Sequence, residues 1–211
     1  MKPGARRALP AVRRALEQRR WLLIADASLP SIAAIVARAP IAGSWWSHPL
    51  ANEIYDVCQW LDLQPEAARV KLVAGKVTFV HRSLFASVAA VGAAREAWQL
   101  RGLTPAAKRL LARCDEHGIV RLDQLVPRER DAVRARAKAA LELERRLLVR
   151  TDDVHSPSGA HARRLSSWLV WRQSLAPVPD EIPAAAGRAA LEAAVAEFGG
   201  PSGRRALLPW L

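Results

Sequence analysis

Most apolar positions in this chain recur at helical spacing, and three short stretches do not. Leu9, Val12 and Leu16 predict a helix over 9–20, with 21–24 as its continuation or a short strand. Ser28 before Leu29-Pro30 marks a helix start, Ile32, Ile35 and Val36 supply its apolar face, and Pro40 ends it. Residues 43–49, Gly-Ser-Trp-Trp-Ser-His-Pro, read as a loop by their Gly and Pro content. Ile54, Val57, Cys58 and Leu61 return to helical spacing. Val70, Leu72, Val77, Phe79 and Val80 then flank Ala74-Gly75-Lys76, the pattern of a hairpin with a glycine turn, and a helix over 83–98 follows.

A second series begins at Gly102. Thr104 is a good N-cap and Pro105 suits the first helical position. That helix stops at His117-Gly118. Residues 119–121 read as a short strand, 122–126 as a brief helix or turn, and 129–146 as a long helix. Residues 147–150 read as a strand, Ser156-Pro157-Ser158-Gly159 as a turn, and 161–173 as another helix. A Pro-rich linker over 177–183 leads to a last helix at 184–198 and a tail. Helix, short strand, short helix, long helix, hairpin is the order of a winged helix-turn-helix. The expected architecture is therefore mainly α with small β-hairpins, with room for two tandem winged-helix-like modules. The expected division is a Trp-rich N-terminal module over 1–100, a winged-helix module over 101–175, and a linker, helix and tail over 176–211.

Composition sharpens the expected partner. The chain has 32 Lys and Arg against 20 Asp and Glu, a net charge of +12 over 211 residues. The excess sits at two places: residues 1–20 carry +6 and residues 101–172 carry +7, while 21–100 are neutral and Trp-rich. Such footprints fit the phosphate backbone of double-stranded DNA. An Arg-rich helix at 9–20 lying on a membrane is the weaker reading, because its apolar face of three residues is thin. No run of eighteen apolar residues exists, so no spanning segment is expected. Cys58 and Cys114 form no disulfide framework and fit a reducing cytoplasm.

Within the long helix, Arg130, Arg134 and Lys138 fall at i, i+4 and i+8 and make one basic stripe, with Val133, Ala137, Ala140, Leu141 and Leu147 expected on the buried side. In a winged helix this is the helix that enters the major groove. The plainer reading is a solvated face balanced by Glu142 and Glu144. Arg150, Arg163 and Arg164, with His155 and His161, surround the expected hairpin and suit a wing that reaches phosphate. Lys76, at the earlier turn, suits the same role. The densest constellation is Trp45-Trp46-Ser47-His48, followed by Asn52, Glu53 and Tyr55. A carboxylate and an imidazole beside an aromatic wall suit base excision: Glu53 and His48 as catalytic groups, Trp45 and Trp46 stacking an extruded base. The plainer reading makes the Trp pair structural, with His48 and Glu53 capping a helix. Cys114-x-x-His117 is half a zinc site without a second half, and no dinucleotide, Walker or zincin motif is present, so neither metal nor cofactor is expected.

The run Gly43 to Pro49, the hairpin Lys71 to His81, and the segment Glu144 to Val149 continuing through His155 to Gly159-Ala160-His161 together resemble a family of short bacterial proteins related to AlkZ-type winged-helix DNA glycosylases. The resemblance covers roughly residues 10–175, its motifs are more specific for the short family than for the AlkZ-type enzymes, and Trp46-Ser47-His48 resembles the tryptophan-x-histidine stretch of those enzymes. It implies a stacked winged-helix fold and a DNA-related role. The glutamine-x-glutamine or glutamine-x-aspartate catalytic motif of those enzymes is absent; Gln59-Trp60-Leu61-Asp62 has the wrong spacing. Catalysis is therefore not implied by motif. A DNA glycosylase-like protein, a non-enzymatic winged-helix binder or regulator, and a partner-binding module with an incidental basic surface are the three functional expectations.

Overall fold

A computed structural model describes residues 1–155, 161–196 and 208–211. In chain order it contains α1 (Pro3–Arg19), β1 (Trp21–Leu23), α2 (Ile32–Ala37), a 3-10 turn at Trp45–Ser47, α3 (Ala51–Asp62), β2 (Ala67–Lys71), β3 (Val77–His81) and α4 (Phe85–Ala93). There follow α5 (Ala97–Leu100), α6 (Pro105–His117), β4 (Ile119–Arg121), a 3-10 turn at Leu122–Gln124, α7 (Arg130–Arg145), β5 (Arg150–His155), β6 (His161–Ser166), α8 (Trp168–Gln173) and α9 (Ala184–Ala196). Among the described residues helix makes up 56% and strand 14%, with small antiparallel sheets, so helix predominates as expected.

The chain divides into two compact units, Met1–Phe85 with Arg188–Pro209 and Leu211, and Ala86–Gly187 with Trp210. The break after Phe85 precedes the expected one at residue 100, and most of α9 belongs to the first unit rather than to a separate tail.

In the first unit, α1, α2 and α3 cover one face of a sheet ordered β1-β3-β2. Val12 and Leu16 of α1, Ile32 of α2, and Ile54, Val57, Cys58 and Leu61 of α3 converge on Leu22 and Phe79 to form the core. Trp21 is fully buried, and its indole Nε1 donates to the Ala194 carbonyl at 2.9 Å. Burial leaves the Cys58 thiol pushed up to about 12.

The second unit has its own core. Ala107, Leu110, Leu111 and Cys114 of α6 pack on Ala139, Ala140 and Leu143 of α7 and on Val120 and Leu165 of a sheet ordered β4-β6-β5. The Cys114 thiol, also buried, is likewise pushed up to about 12. Among the described residues no cluster of three metal-ligating side chains forms.

Each unit contains one run of helix, short strand, short helical segment, helix, then two hairpin strands, α1 to β3 in the first and α6 to β6 in the second, and each sheet has its last strand in the middle. The likeness extends to single bonds. Arg20 (φ 65°) after α1 and Gly118 (φ 70°) after α6 both turn the chain into the following strand at positive φ. The Arg20 carbonyl accepts from His81 N–H, and the Gly118 carbonyl accepts from Ser167 N–H, both at 2.8 Å. His81 and Ser167 then cap the helical segments that follow.

Several elements differ from their sequence pattern. The expected helix over 83–98 is broken: Arg95 takes φ 53°, and Glu96 with Gln99 forms a reciprocal capping box that starts α5. Residues 147–149 are a buried turn rather than a strand, with Leu147 at φ 52°. Residues 161–166, expected to be helical, form β6, paired to β5 along its length and to β4 over Arg164, Leu165 and Ser166. The expected turn at Ser156–Gly159 lies outside the described residues.

Candidate nucleic-acid interface

Alanine-rich α7 is a strong helix former, and its packing on α6 fixes which side faces water. Ala139, Ala140 and Leu143 are buried, and Ala132 and Arg136 are half-buried. Arg130, Arg134 and Lys138 are all exposed on the side opposite this core. Val133, expected inside, is 47% exposed, and Ala137 is exposed as well. Both belong to the outward surface, because α6 packs against the face carrying Ala139, Ala140 and Leu143.

The balance of charge on this helix is decided by where its carboxylates go. Glu142 accepts from Thr104, from N–H at 3.1 Å and from Oγ1 at 2.7 Å. Glu144 accepts from the Thr151 hydroxyl. Neither forms an ion pair with Arg130, Arg134 or Lys138 among the described residues. Among the described residues Arg130, Arg134 and Lys138 have no ion-pair partner, and Asp131 is the one acidic residue in the helix's first turn. A row of three cations at successive turns is spaced to follow a groove wall lined with phosphates.

The hairpin cations are less free. Arg150 is 15% exposed, donates to Asp152 Oδ2 at 2.5 Å and lies over the Trp171 ring at 5.5 Å. It is a structural residue of the sheet rather than a wing-tip cation. Arg164 is 42% exposed and shares the same carboxylate at 3.0 Å. Arg163 stands opposite Asp153 in the β5–β6 ladder.

In the first unit, Lys76 is tied down. Its Nζ meets Asp26 Oδ2 at 2.6 Å. Asp26 Oδ1 accepts from Ser28 N–H at 2.8 Å and from Leu29 N–H at 3.0 Å, which closes the loop between β1 and α2. Burial would raise this carboxyl, but the Lys76 ammonium and the Ser28 and Leu29 amides outweigh it and hold the pKa at about 2, against an ordinary 3.8. A folded pKa below the unfolded one gives stability that is present above about pH 4 and lost as pH falls through about 2. For a side chain only 10% exposed, that shift amounts to about 2 kcal/mol. Asp26→Asn therefore costs about 2 kcal/mol at neutral pH, and its deficit against wild type closes as pH is lowered from 5 to 2. Urea melts across that range check this; a pH-independent deficit contradicts it.

The Trp loop is a 3-10 turn leading into α3. Trp45 and Trp46 stack on each other, with ring centroids 3.9 Å apart and planes at 26°, and Tyr55 tilts against Trp46 at 5.9 Å. One face of each indole is thus already occupied by the other, although Trp46 remains 63% exposed. His48 Nδ1 accepts from Leu50 N–H at 3.1 Å, so that nitrogen shapes the approach to α3. Glu53 lies in the first turn of α3 against α1; a β-carbon on Gly4 would sit 3.0 Å from its Cγ. The structure gives Trp45, Trp46 and His48 local structural partners and sets Glu53 against a helix.

Two further sets of basic residues line exposed helix faces, the first within the basic segment expected over residues 1–20. Arg6, Arg7, Arg13 and Arg14 share the exposed face of α1, opposite buried Ala5, Val12 and Leu16. Arg13 among them lies 3.7 Å from Glu66 and 5.7 Å from the Trp60 ring centre. Arg109 and Arg113 sit one turn apart on exposed α6. Their i, i+4 spacing was the available signal. No helix among the described residues is long and apolar enough to cross a membrane. Scans of protein-family models, curated proteins and solved structures found no match to this chain.

Proposed function

We propose that this chain binds double-stranded DNA through two winged-helix-like modules, with α7 of the second module as the helix that lies in the major groove. The observation that carries the reading is the outward row Arg130, Arg134, Lys138 on a helix whose carboxylates Glu142 and Glu144 are bonded elsewhere. The order of elements in each unit and the central position of the last strand agree with winged helices, in which β5 and β6 are the wing. The module pair also agrees with the family resemblance read from the sequence. The two modules differ in charge. The α3 helix, which occupies the place of α7 in its own module, carries Glu53, Asp56 and Asp62 and no cation. The first module's positive surface is α1.

A non-enzymatic binder or regulator fits the geometry better than a glycosylase. Base excision still has one observation in its favour, the exposed indole of Trp46 in the turn that leads into α3, whose first turn carries half-buried Glu53. Titration of a fluorescent duplex with the full chain at several salt concentrations tests the main reading; binding that weakens steeply with salt is expected. Incubation with duplexes carrying modified bases, followed by alkali, tests the second. A binder leaves every strand intact. Strand scission by wild type that Glu53→Gln abolishes, with duplex binding unchanged, assigns excision instead.

A further inference from the structure

Within the second unit, α6, the loop after β4 and the N-terminal half of α7 line an open cleft of about 380 Å³, inside the ~300–1,000 Å³ range of small-ligand clefts. Leu110 and Ala132 are among its apolar lining, and Val126 at its rim is 72% exposed. Arg109 and Arg113 reach it from α6 and Arg136 from α7, and no carboxylate lines it. Arg136 Nη1 donates to the Pro127 carbonyl at 2.6 Å, while its Nε is shielded from solvent without a hydrogen-bond partner among the described residues. Three guanidinium groups around an apolar floor attract an anion and reject a cation. A DNA phosphate has no apolar body to place on Leu110, Ala132 and Val126. We infer that this cleft binds a small organic acid, an aliphatic or aromatic carboxylate, with its charge against the arginines and its apolar body on the floor. The site stands independently of DNA binding.

The full-length chain titrated with the fluorescent aromatic anion anilinonaphthalene sulfonate, then chased with decanoate or acetate, tests this. Saturable binding is expected, reversed by decanoate and not by equimolar acetate. Ala132→Phe, which fills the floor, and Arg109→Glu with Arg113→Glu, which reverses two exposed charges, should each weaken binding by about tenfold or more. The charge variant alters only exposed side chains, so it keeps the test decisive if Ala132→Phe does not fold. Equal displacement by acetate overturns the inference by showing a simple anion site. Unchanged probe affinity in the charge variant, at an unchanged melting temperature, overturns it as well.

Discussion

Replacing Arg130, Arg134 and Lys138 together with alanine should reduce the slope of log affinity against log salt by about 2.7, since each phosphate contact contributes about 0.9. Alanine has the best helix propensity, and the three positions face water. The variant should therefore keep its helix content and melting temperature while losing affinity most strongly at low salt. Screening explains that pattern: counterion release is the gain from phosphate contact, and salt erodes it. If Glu142 and Glu144 neutralised the stripe, the substitution would leave the slope unchanged. Their bonds to Thr104 and Thr151 are the reason to expect otherwise.

Gln99→Leu should destabilise the protein by about 3 kcal/mol, because it leaves several buried polar groups unsatisfied at once. Gln99 is fully buried. Its Nε2 donates to the carbonyls of Gly92 at 3.4 Å, Arg146 at 3.2 Å and Leu147 at 3.3 Å, and its Oε1 accepts from Glu96 N–H at 2.8 Å. One side chain thus joins α4, the start of α5 and the turn after α7. That turn holds Leu147 at φ 52°, and the Leu147 carbonyl also accepts from Trp168 Nε1 at 2.6 Å. Leucine is close to glutamine in size, so the loss comes from hydrogen bonds and not from a cavity. Urea denaturation read by tryptophan fluorescence checks it. A change below about 1 kcal/mol would mean that water replaces the amide.

The sequence carried the basic stripe of α7 in plain sight, because the spacing of Arg130, Arg134 and Lys138 is a local property of one helix. The side on which α7 is buried was not legible to the same degree. Val133 and Ala137 are as apolar as Ala139 and Ala140, and only the position of α6 decides between them. Strand β6 was hidden for a related reason. His161, Ala162, Arg163 and Arg164 have no β-branched residue among them, and pairing with β5, joined by β4 from Arg164 onward, sets their conformation against local preference. Conversely, Leu147, Leu148 and Val149 form an apolar run that reads as a strand, yet they fill a buried turn. The repetition of the two units left no trace as a sequence period. It resides in sheet order and in backbone bonds such as those accepted by Arg20 and Gly118, which any residue supplies. At the candidate site, sequence placed Lys76 and Arg150 among the free cations. The partner of Lys76 is Asp26, 50 residues away, and that of the Arg150 guanidinium face is Trp171, both of which the fold alone brings near; Asp152 is a neighbour of Arg150 on the same strand.

The most direct test of α7 as the DNA-facing helix is photo-crosslinking from its exposed surface. A benzoyl-phenylalanine at Ala137 keeps all three cations and lies on the same outward face. The same group at Leu169, 55% exposed on α8, serves as the comparison. Irradiation of the full chain with a labelled duplex should give a covalent adduct from position 137 that fades with added salt, and little from position 169. Duplex bound with equal adduct from both positions, or with none from position 137, would contradict the account.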